Sequence, residues 1–405
     1  MSAHAHADTA SAAGDAKHLP ADKAKRLMTI GAVLAVVGLA LAGAGAASDL
    51  KRFGFAWLTG FYFVLTIGLG GLMFVLIQHV TRAGWSVAAR RQMEWLAGIL
   101  PICLVLFIPV LALAAQIYHP WWDPTEAAKD EMVHGKHAWL NHSFFYIRVV
   151  VYFAIWAGLS TWFRARSRAQ DESGDANETF KMQKWSAPSI LLGALSLTFA
   201  GFDWLMSLDP RWYSTIFGVY IFAGSMVSSL GVLALLTLWF QTSGLYKKVS
   251  TVEHRYDIGK FLFGFTVFWA YIAFSQFFLI WYANIPEETI FYFHRWHGGW
   301  GWVSASIPIM HFVVPFIVLL SRTAKRTPIL LATGAVILLV MHYVDMFWLV
   351  MPNFNHEEVP FNHTELGALL APVGVLVAWI GYRASKDPLY PLRDPRLAET
   401  MRHNP

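Results

Sequence analysis

Three ionisable side chains fall where a chain of this composition should have none. His311 lies in the apolar stretch 300–321, and His342 and Asp345 lie in the next, 328–351, across a short basic turn at 322–327. Counting about 1.5 Å per residue, His311 lies roughly 16 Å from the outer end of its stretch and His342 about 14 Å from the outer end of the next. Both imidazoles are therefore expected at similar depth in the hydrocarbon. Polar groups there are costly, face the interior of a bundle and often mark an ion or proton route. His342 and Asp345, three residues apart, share a helix face. A neighbouring carboxylate and burial act on an imidazole in opposite senses, which leaves a group able to exchange protons near neutrality. The other reading is a mutually satisfied core pair.

Further polar residues interrupt apolar stretches. Arg148 and Asp203 lie a few residues inside the outer ends of two consecutive segments. Their matched depth predicts an ion pair, read either as a structural clamp or as one wall of a quinone or proton site. Gln276, Ser225, Ser228 and Ser229 read as interhelical hydrogen-bond donors or as the lining of a water chain. Pro308 and Pro315 flank His311. A proline removes the hydrogen bond to the carbonyl four residues earlier, so Pro315 is expected to free the carbonyl of His311 itself. Pro101, Pro109 and Pro372 interrupt other stretches in the same way.

Haem and metal chemistry have weaker support. His297 and His311 are 14 residues apart, as are His342 and His356, so two antiparallel helices could stack two bis-histidine sites. Against this, His297 and His356 lie at or beyond the helix ends. His134 and His137 have ligand-like spacing in the loop 118–142, with no third ligand set by spacing. The one cysteine, Cys103, cannot hold an iron–sulfur cluster, and no C-x-x-C-H run offers covalent haem attachment.

The elements that position these groups follow from composition. The chain has 405 residues, 56% hydrophobic and only 14% charged, against about 25% charged in soluble domains. Ten apolar stretches are long enough to cross a bilayer core of about 30 Å: 27–47, 54–80, 96–117, 143–163, 185–206, 213–240, 258–283, 300–321, 328–351 and 364–383. In lipid, each backbone amide must be satisfied within its own segment, so these are helices. The fold class is an all-α polytopic membrane protein. Of 31 Lys and Arg, only Lys51, Arg52, Lys129, Lys136, Arg211 and Arg295 fall in loops on one side, and Arg148 lies within a helix. The others crowd the opposite side, which the positive-inside rule makes cytoplasmic, together with both termini. The net charge of +5 thus reflects topology and gives no reason to invoke nucleic acid.

Outside the spans, residues 1–26 read as a disordered cytoplasmic tail without a cleavable signal peptide, and its His4 and His6 as solvated filler. The segment 84–95 reads as interfacial and amphipathic, the loop 164–184 as a solvated linker, and 384–405 as a basic tail on the inner surface. Internal duplication leaves only a faint echo, between the segments following Gly60 and Phe217.

Three longer motifs resemble one family. They are Phe202-Asp203-Trp204-Leu205-Met206-Ser207-Leu208-Asp209-Pro210-Arg211-Trp212-Tyr213-Ser214-Thr215-Ile216-Phe217-Gly218; Phe274-Ser275-Gln276 through Trp281-Tyr282-Ala283-Asn284-Ile285-Pro286-Glu287-Glu288; and Phe293-His294-Arg295-Trp296-His297-Gly298-Gly299-Trp300. Together they resemble the ActF-type membrane subunits of bacterial alternative complex III, within the NrfD/PsrC family of quinone-interacting membrane proteins. The resemblance implies two four-helix bundles, helices two to five and six to nine, with one peripheral helix at each end. It implies a respiratory assembly in the bacterial inner membrane that oxidises quinol and passes electrons to a cytochrome c or directly to a terminal oxidase. The iron–sulfur clusters and c-haems would belong to partner subunits, and the better-supported quinol site to a paralogous membrane subunit. This chain would bind no redox centre, with quinone or menaquinone its one small-molecule contact besides membrane lipids. His311, His342, Asp345, Gln276, Asp203 and Arg148 would then serve a proton-conducting half-channel. A scaffold docking extramembrane subunits through 118–142 and 351–363, a b-haem protein and a secondary transporter are the alternatives.

Overall fold

The computed structural model describes residues 17–246 and 248–402. The described residues form helices and no strand. Ten helices are long and apolar enough to cross a membrane: α1 Ala21–Ser48, α2 Leu50–Val80, α3 Val87–Ala112, α4 His142–Ser173, α5 Asn177–Leu208, α6 Phe217–Thr242, α7 Val252–Ala283, α9 Trp300–Leu320, α10 Pro328–Asn353 and α11 His363–Lys386. A shorter helix, α8 Pro286–Trp296, lies between α7 and α9. The chain is therefore a multi-pass, all-α membrane protein in composition and architecture.

Side-chain caps set several starts. Asp49 accepts from the Arg52 amide at the head of α2, Asn141 from Phe144 at α4, and Asn362 forms a capping box with Glu365 at α11. Glu365 also receives two hydrogen bonds from the Arg52 guanidinium, at 2.8 and 2.9 Å, which ties α11 to α2.

Burial identifies the centre. The apolar window of α2 is 94% buried and that of α6 is 78% buried, against 17% for α1. Helix α2 packs on α1, α3, α5, α6, α10 and α11, and α6 packs on α5, α7 and α10 as well. Helix α1 lies along α11. Glycines seven residues apart line both sides of that contact: Gly31, Gly38 and Gly45 against Gly367, Gly374 and Gly381. A Cβ at Gly38 would stand 2.3 Å from the Ala371 nitrogen, and one at Gly374 would stand 2.3 Å from the Ala35 nitrogen. The two backbones touch, as small-residue seams between membrane helices allow.

Several boundaries differ from expectation. Helix α1 begins at Ala21 rather than 27; the expected tail before residue 17, with His4 and His6, lies outside the described residues. The segment 84–95 is not interfacial, because the helical part Val87–Ala97 is buried throughout and opens α3. Its charges are compensated inside the protein. The Arg90 guanidinium donates to Asp394 at 2.5 Å, and that of Arg91 donates to Glu94 at 2.9 Å and to Asp171. Asp171 in turn shows that 164–184 is not a solvated linker: α4 runs on to Ser173 and α5 starts at Asn177. The segment after Lys386 is likewise packed, with Leu389, Tyr390 and Leu397 buried. The Leu389 amide donates to the Lys17 carbonyl at 2.9 Å, so both ends of the described chain meet at one end of the bundle, here the terminal end. A helical window of apolar residues misses such segments, because partners distant in sequence pair their charges.

Candidate functional site

The expected polar centre forms where α2, α6, α7, α9 and α10 converge. His311, His342 and Asp345 are each 0% exposed. Helix α9 reaches this point in a distorted state. It is π-helical over Ile307–Val313, where the Val314 amide donates to the Ile309 carbonyl five residues back. Pro308 and Pro315 interrupt the ordinary four-residue pattern, and such widened turns recur at functional sites. The widened turn carries His311 against Trp269 of α7, with ring centroids 3.9 Å apart.

The two imidazoles approach with centroids 6.4 Å apart and planes inclined at 56°. Thr66 Oγ1 lies 2.8 Å from His342 Nε2 and also donates to the Phe63 carbonyl at 2.8 Å. A hydroxyl has one hydrogen, so Thr66 donates to the Phe63 carbonyl or to His342 Nε2 according to the tautomer, and in both cases His342 Nδ1 has no protein partner. Asp345 faces a different partner, accepting at Oδ1 from the Tyr220 hydroxyl of α6. His342 and Asp345 are therefore not a mutually satisfied pair. Among the described residues, Thr66 holds the first and Tyr220 the second.

Five polar atoms at this centre have no hydrogen-bond partner of good geometry: His311 Nδ1, His311 Nε2, His342 Nδ1, Asp345 Oδ2 and Trp269 Nε1, the indole lying near the Asp345 carboxylate. Leaving a buried polar group unmatched costs about 1–3 kcal/mol. Their concentration beside a cavity marks a site suited to hydrogen-bonding small polar species, water above all.

Beside the centre lies a cavity of about 590 Å³, lined by Tyr220, Trp269, Gln276, Tyr292, Ser304 and Trp348 among other, mostly aromatic residues. Tyr220 and Trp269 are shared between the cavity and the centre. Gln276 sits in the cavity wall, accepting from Ser214 at 3.1 Å and donating to the Tyr292 hydroxyl at 3.4 Å. Volume, aromatic lining and sparse polar groups are those of a small-molecule pocket.

The other expected residues form a separate cluster. Arg148 and Asp203 pair as their depth predicts, through Nε–Oδ2 at 2.6 Å and Nη2–Oδ1 at 3.0 Å. Trp139 Nε1 and the Tyr152 hydroxyl also donate to Asp203, at 2.7 and 2.6 Å, and Arg148 donates to the Trp139 carbonyl at 2.9 Å. Both carboxylate oxygens are engaged, so this is a saturated clamp between α4 and α5. The serines of α6 are not interhelical hydrogen-bond donors. Ser225 donates to the Ile221 carbonyl at 2.7 Å, Ser228 to Ser225 at 3.1 Å and Ser229 to Met226 at 3.2 Å, all within their own helix.

No protein-family model matches this chain, and no curated protein matches it.

The outer bis-histidine arrangement is not assembled: His356 stacks on His294 at 4.3 Å, and His297 on Phe293 at 3.9 Å. Among the described residues, no group of three or more His, Cys, Asp or Glu side chains is placed to hold a metal, the His134–His137 pair included.

Sequence reasoning missed Thr66, Tyr220 and Trp269, the three residues that orient the centre. Each sits in an apolar helix among many of its kind, and only the packing of α2, α6 and α7 selects it. Helix α8 was missed as well, although Pro286-Glu287-Glu288 is a legible helix start. It supplies Tyr292 to the cavity wall and a fully buried arginine, Arg295.

Proposed function

We propose that this chain is an integral-membrane subunit of a quinol-oxidising respiratory assembly of the alternative complex III type, contributing a proton-conducting half-channel and a quinone-facing surface. In this reading both termini face the cytoplasm of a bacterial inner membrane. Helices α2–α5 form one four-helix bundle, α6, α7, α9 and α10 form the other, and α1 and α11 lie outside them. Electron carriers, as iron–sulfur clusters and c-haems, sit on partner subunits, beside a paralogous membrane subunit and in some assemblies a terminal oxidase.

One observation carries the reading: unmatched hydrogen-bonding atoms on His311, His342, Asp345 and Trp269 at the buried centre of the bundle. Neutral imidazoles pass a proton by accepting at one nitrogen and releasing from the other. His342 suits this, with Nε2 held by Thr66 and Nδ1 without a protein partner. At a centroid separation of 6.4 Å from His311, proton transfer between the two rings would run through an intervening water. Asp345 and Tyr220 would continue the route to the cavity edge, and the cavity's aromatic walls with Gln276, Tyr292 and Ser304 suit a ring with hydrogen-bonding oxygens.

The test is proton translocation by the assembled complex carrying Asp345→Asn or His342→Gln. Each variant is expected to cut quinol-driven proton movement about a hundredfold or more, the low end of what a positioned proton-transfer group supplies. Unchanged translocation in both, with assembly intact, would rule the relay out. The scaffold reading would then stand, for which the saturated Arg148–Asp203 clamp beneath the loop 118–142 is the supporting feature.

A further inference from the structure

Arg295 is a buried cation without a counterion. It is 1% exposed, and among the described residues no carboxylate forms an ion pair with it. Its guanidinium donates to three backbone carbonyls, Trp348 at 3.0 Å, Leu349 at 2.9 Å and Phe291 at 2.8 Å, and lies 3.6 Å from the Phe291 ring centroid. Burial lowers its pKa from the usual arginine value to about 9, against a partial compensation by Asp209, so the group remains charged at neutral pH.

A structural role is evident. The Trp348 and Leu349 carbonyls belong to the last turn of α10, where a cation offsets the helix dipole. Trp348 Nε1 donates to Ser304 Oγ at 2.7 Å, and Ser304 Oγ donates to the Arg295 carbonyl at 2.5 Å. Those bonds close a ring joining α8, α9 and α10. A clamp of this kind could be built from a neutral donor, however, and a neutral donor would avoid the cost of burying an unpaired charge.

Position supplies a reason for the charge. The two carbonyls follow Asp345 by three and four residues, on the side of Asp345 away from the terminal end. Arg295 is within electrostatic reach of Tyr220, the hydroxyl on Asp345, and of Tyr292 in the cavity wall. Any proton passing between Asp345 and the far end by way of this cavity crosses that field. Membrane pores that exclude protons and cations use a fixed arginine in the same manner.

We infer that Arg295 is an electrostatic valve, a positioning residue whose fixed positive charge blocks passive proton return from the far end to Asp345. The inference rests on the proton-route reading above and adds a direction to it: the resting centre exchanges protons with the terminal end. A unit charge about 10 Å away, at an effective dielectric of about 20, changes a cation's barrier by about tenfold.

The experiment uses the full chain in the assembly it co-purifies with, reconstituted in liposomes loaded with a pH dye, and reads passive proton entry after an acid pulse under a potassium diffusion potential. Arg295→Gln removes the charge and keeps donors. It is expected to raise entry about tenfold, while Arg295→Lys and Phe291→Leu, which keep the charge and disturb the contacts that hold it, stay near wild type. The double variant Arg295→Gln with Asp345→Asn is expected to lose the added leak. No added leak in Arg295→Gln overturns the valve, as does an equal leak in Phe291→Leu, which would make the residue a clamp alone. A leak that persists in the double variant overturns it too, because the path would bypass Asp345. The translocation assay on Asp345→Asn alone judges the underlying proton-route reading separately.

Discussion

Gly224 of α6 lies against the His342 ring so closely that a Cβ on it would stand 2.9 Å from Cε1 and 3.2 Å from Nδ1. The bare nitrogen of the imidazole thus faces a backbone that only glycine leaves open. A side chain there would displace the ring from Thr66, whose hydroxyl orients it.

Gly224→Ala is therefore expected to destabilise the protein by about 1–3 kcal/mol, the usual cost of overpacking a tight core. Thermal unfolding of the purified protein measures this. Proton translocation should fall in the same variant even where the fold survives. Full translocation with an unchanged melting temperature would show that the ring has more room than its contacts imply.

Asp203 is expected to matter for stability and not for the proton route. Arg148→Ala strands a buried carboxylate, and Asp203→Ala strands a buried guanidinium. Each is expected to cost about 3–5 kcal/mol, as for a broken buried pair. The double substitution Arg148→Met with Asp203→Leu should recover most of that loss, because it removes both charges together. A thermal-shift series over the three variants tests the order. If the double variant were as damaged as the singles and also failed to move protons, the pair would belong to the route.

The far end carries a pH-sensitive contact. His294 and His356 stack at 4.3 Å, and burial lowers the pKa of both, with their mutual repulsion adding to the effect at His294. Arg295 lowers both further, Lys51 lowers His356 and Arg211 lowers His294, while Asp209 opposes these effects. A folded-state pKa below the unfolded value means that the unfolded state binds more protons. The contribution is complete above the unfolded value of about 6.5 and is lost as pH falls through the depressed folded values. Protection against hydrogen exchange over α8 and residues 351–362, corrected for the intrinsic rate at each pH, should fall as pH drops from 7 to 5, and His294→Leu should flatten that dependence. Protection factors indifferent to pH in the wild-type protein would contradict the stacking.

Much of the architecture was legible in advance, for a simple reason. A bilayer core of about 30 Å demands long apolar helices, and the apolar stretches of this chain announce themselves. The meeting of His311 with His342 was legible too, because depth along a helix follows from counting residues. The same arithmetic paired Arg148 with Asp203. Counting could not say that Asp345 would turn to Tyr220 rather than to His342. That choice depends on the rotation of α6 about its own axis, which packing against α2 and α10 sets.

Charged segments were read least well. Val87–Ala97 and the segment after Lys386 resemble solvated surface in composition, yet Arg90, Arg91, Asp171 and Asp394 neutralise one another inside the protein. Charge pairing is a property of residues that are distant in the chain and close in space, so a window of sequence cannot display it.

The sequence by itself determined that the described chain is helical, with ten segments long and apolar enough to cross a membrane, and that ionisable groups would fall near the middle of two of them, since hydropathy and rise per residue are local quantities. Only the tertiary structure decided which of those groups share a site, which are saturated and which keep a bare nitrogen or oxygen. Those outcomes depend on helix rotation, on the π-turn around His311 and on partners such as Thr66, Tyr220 and Arg295, whose roles exist only once separate helices are packed together.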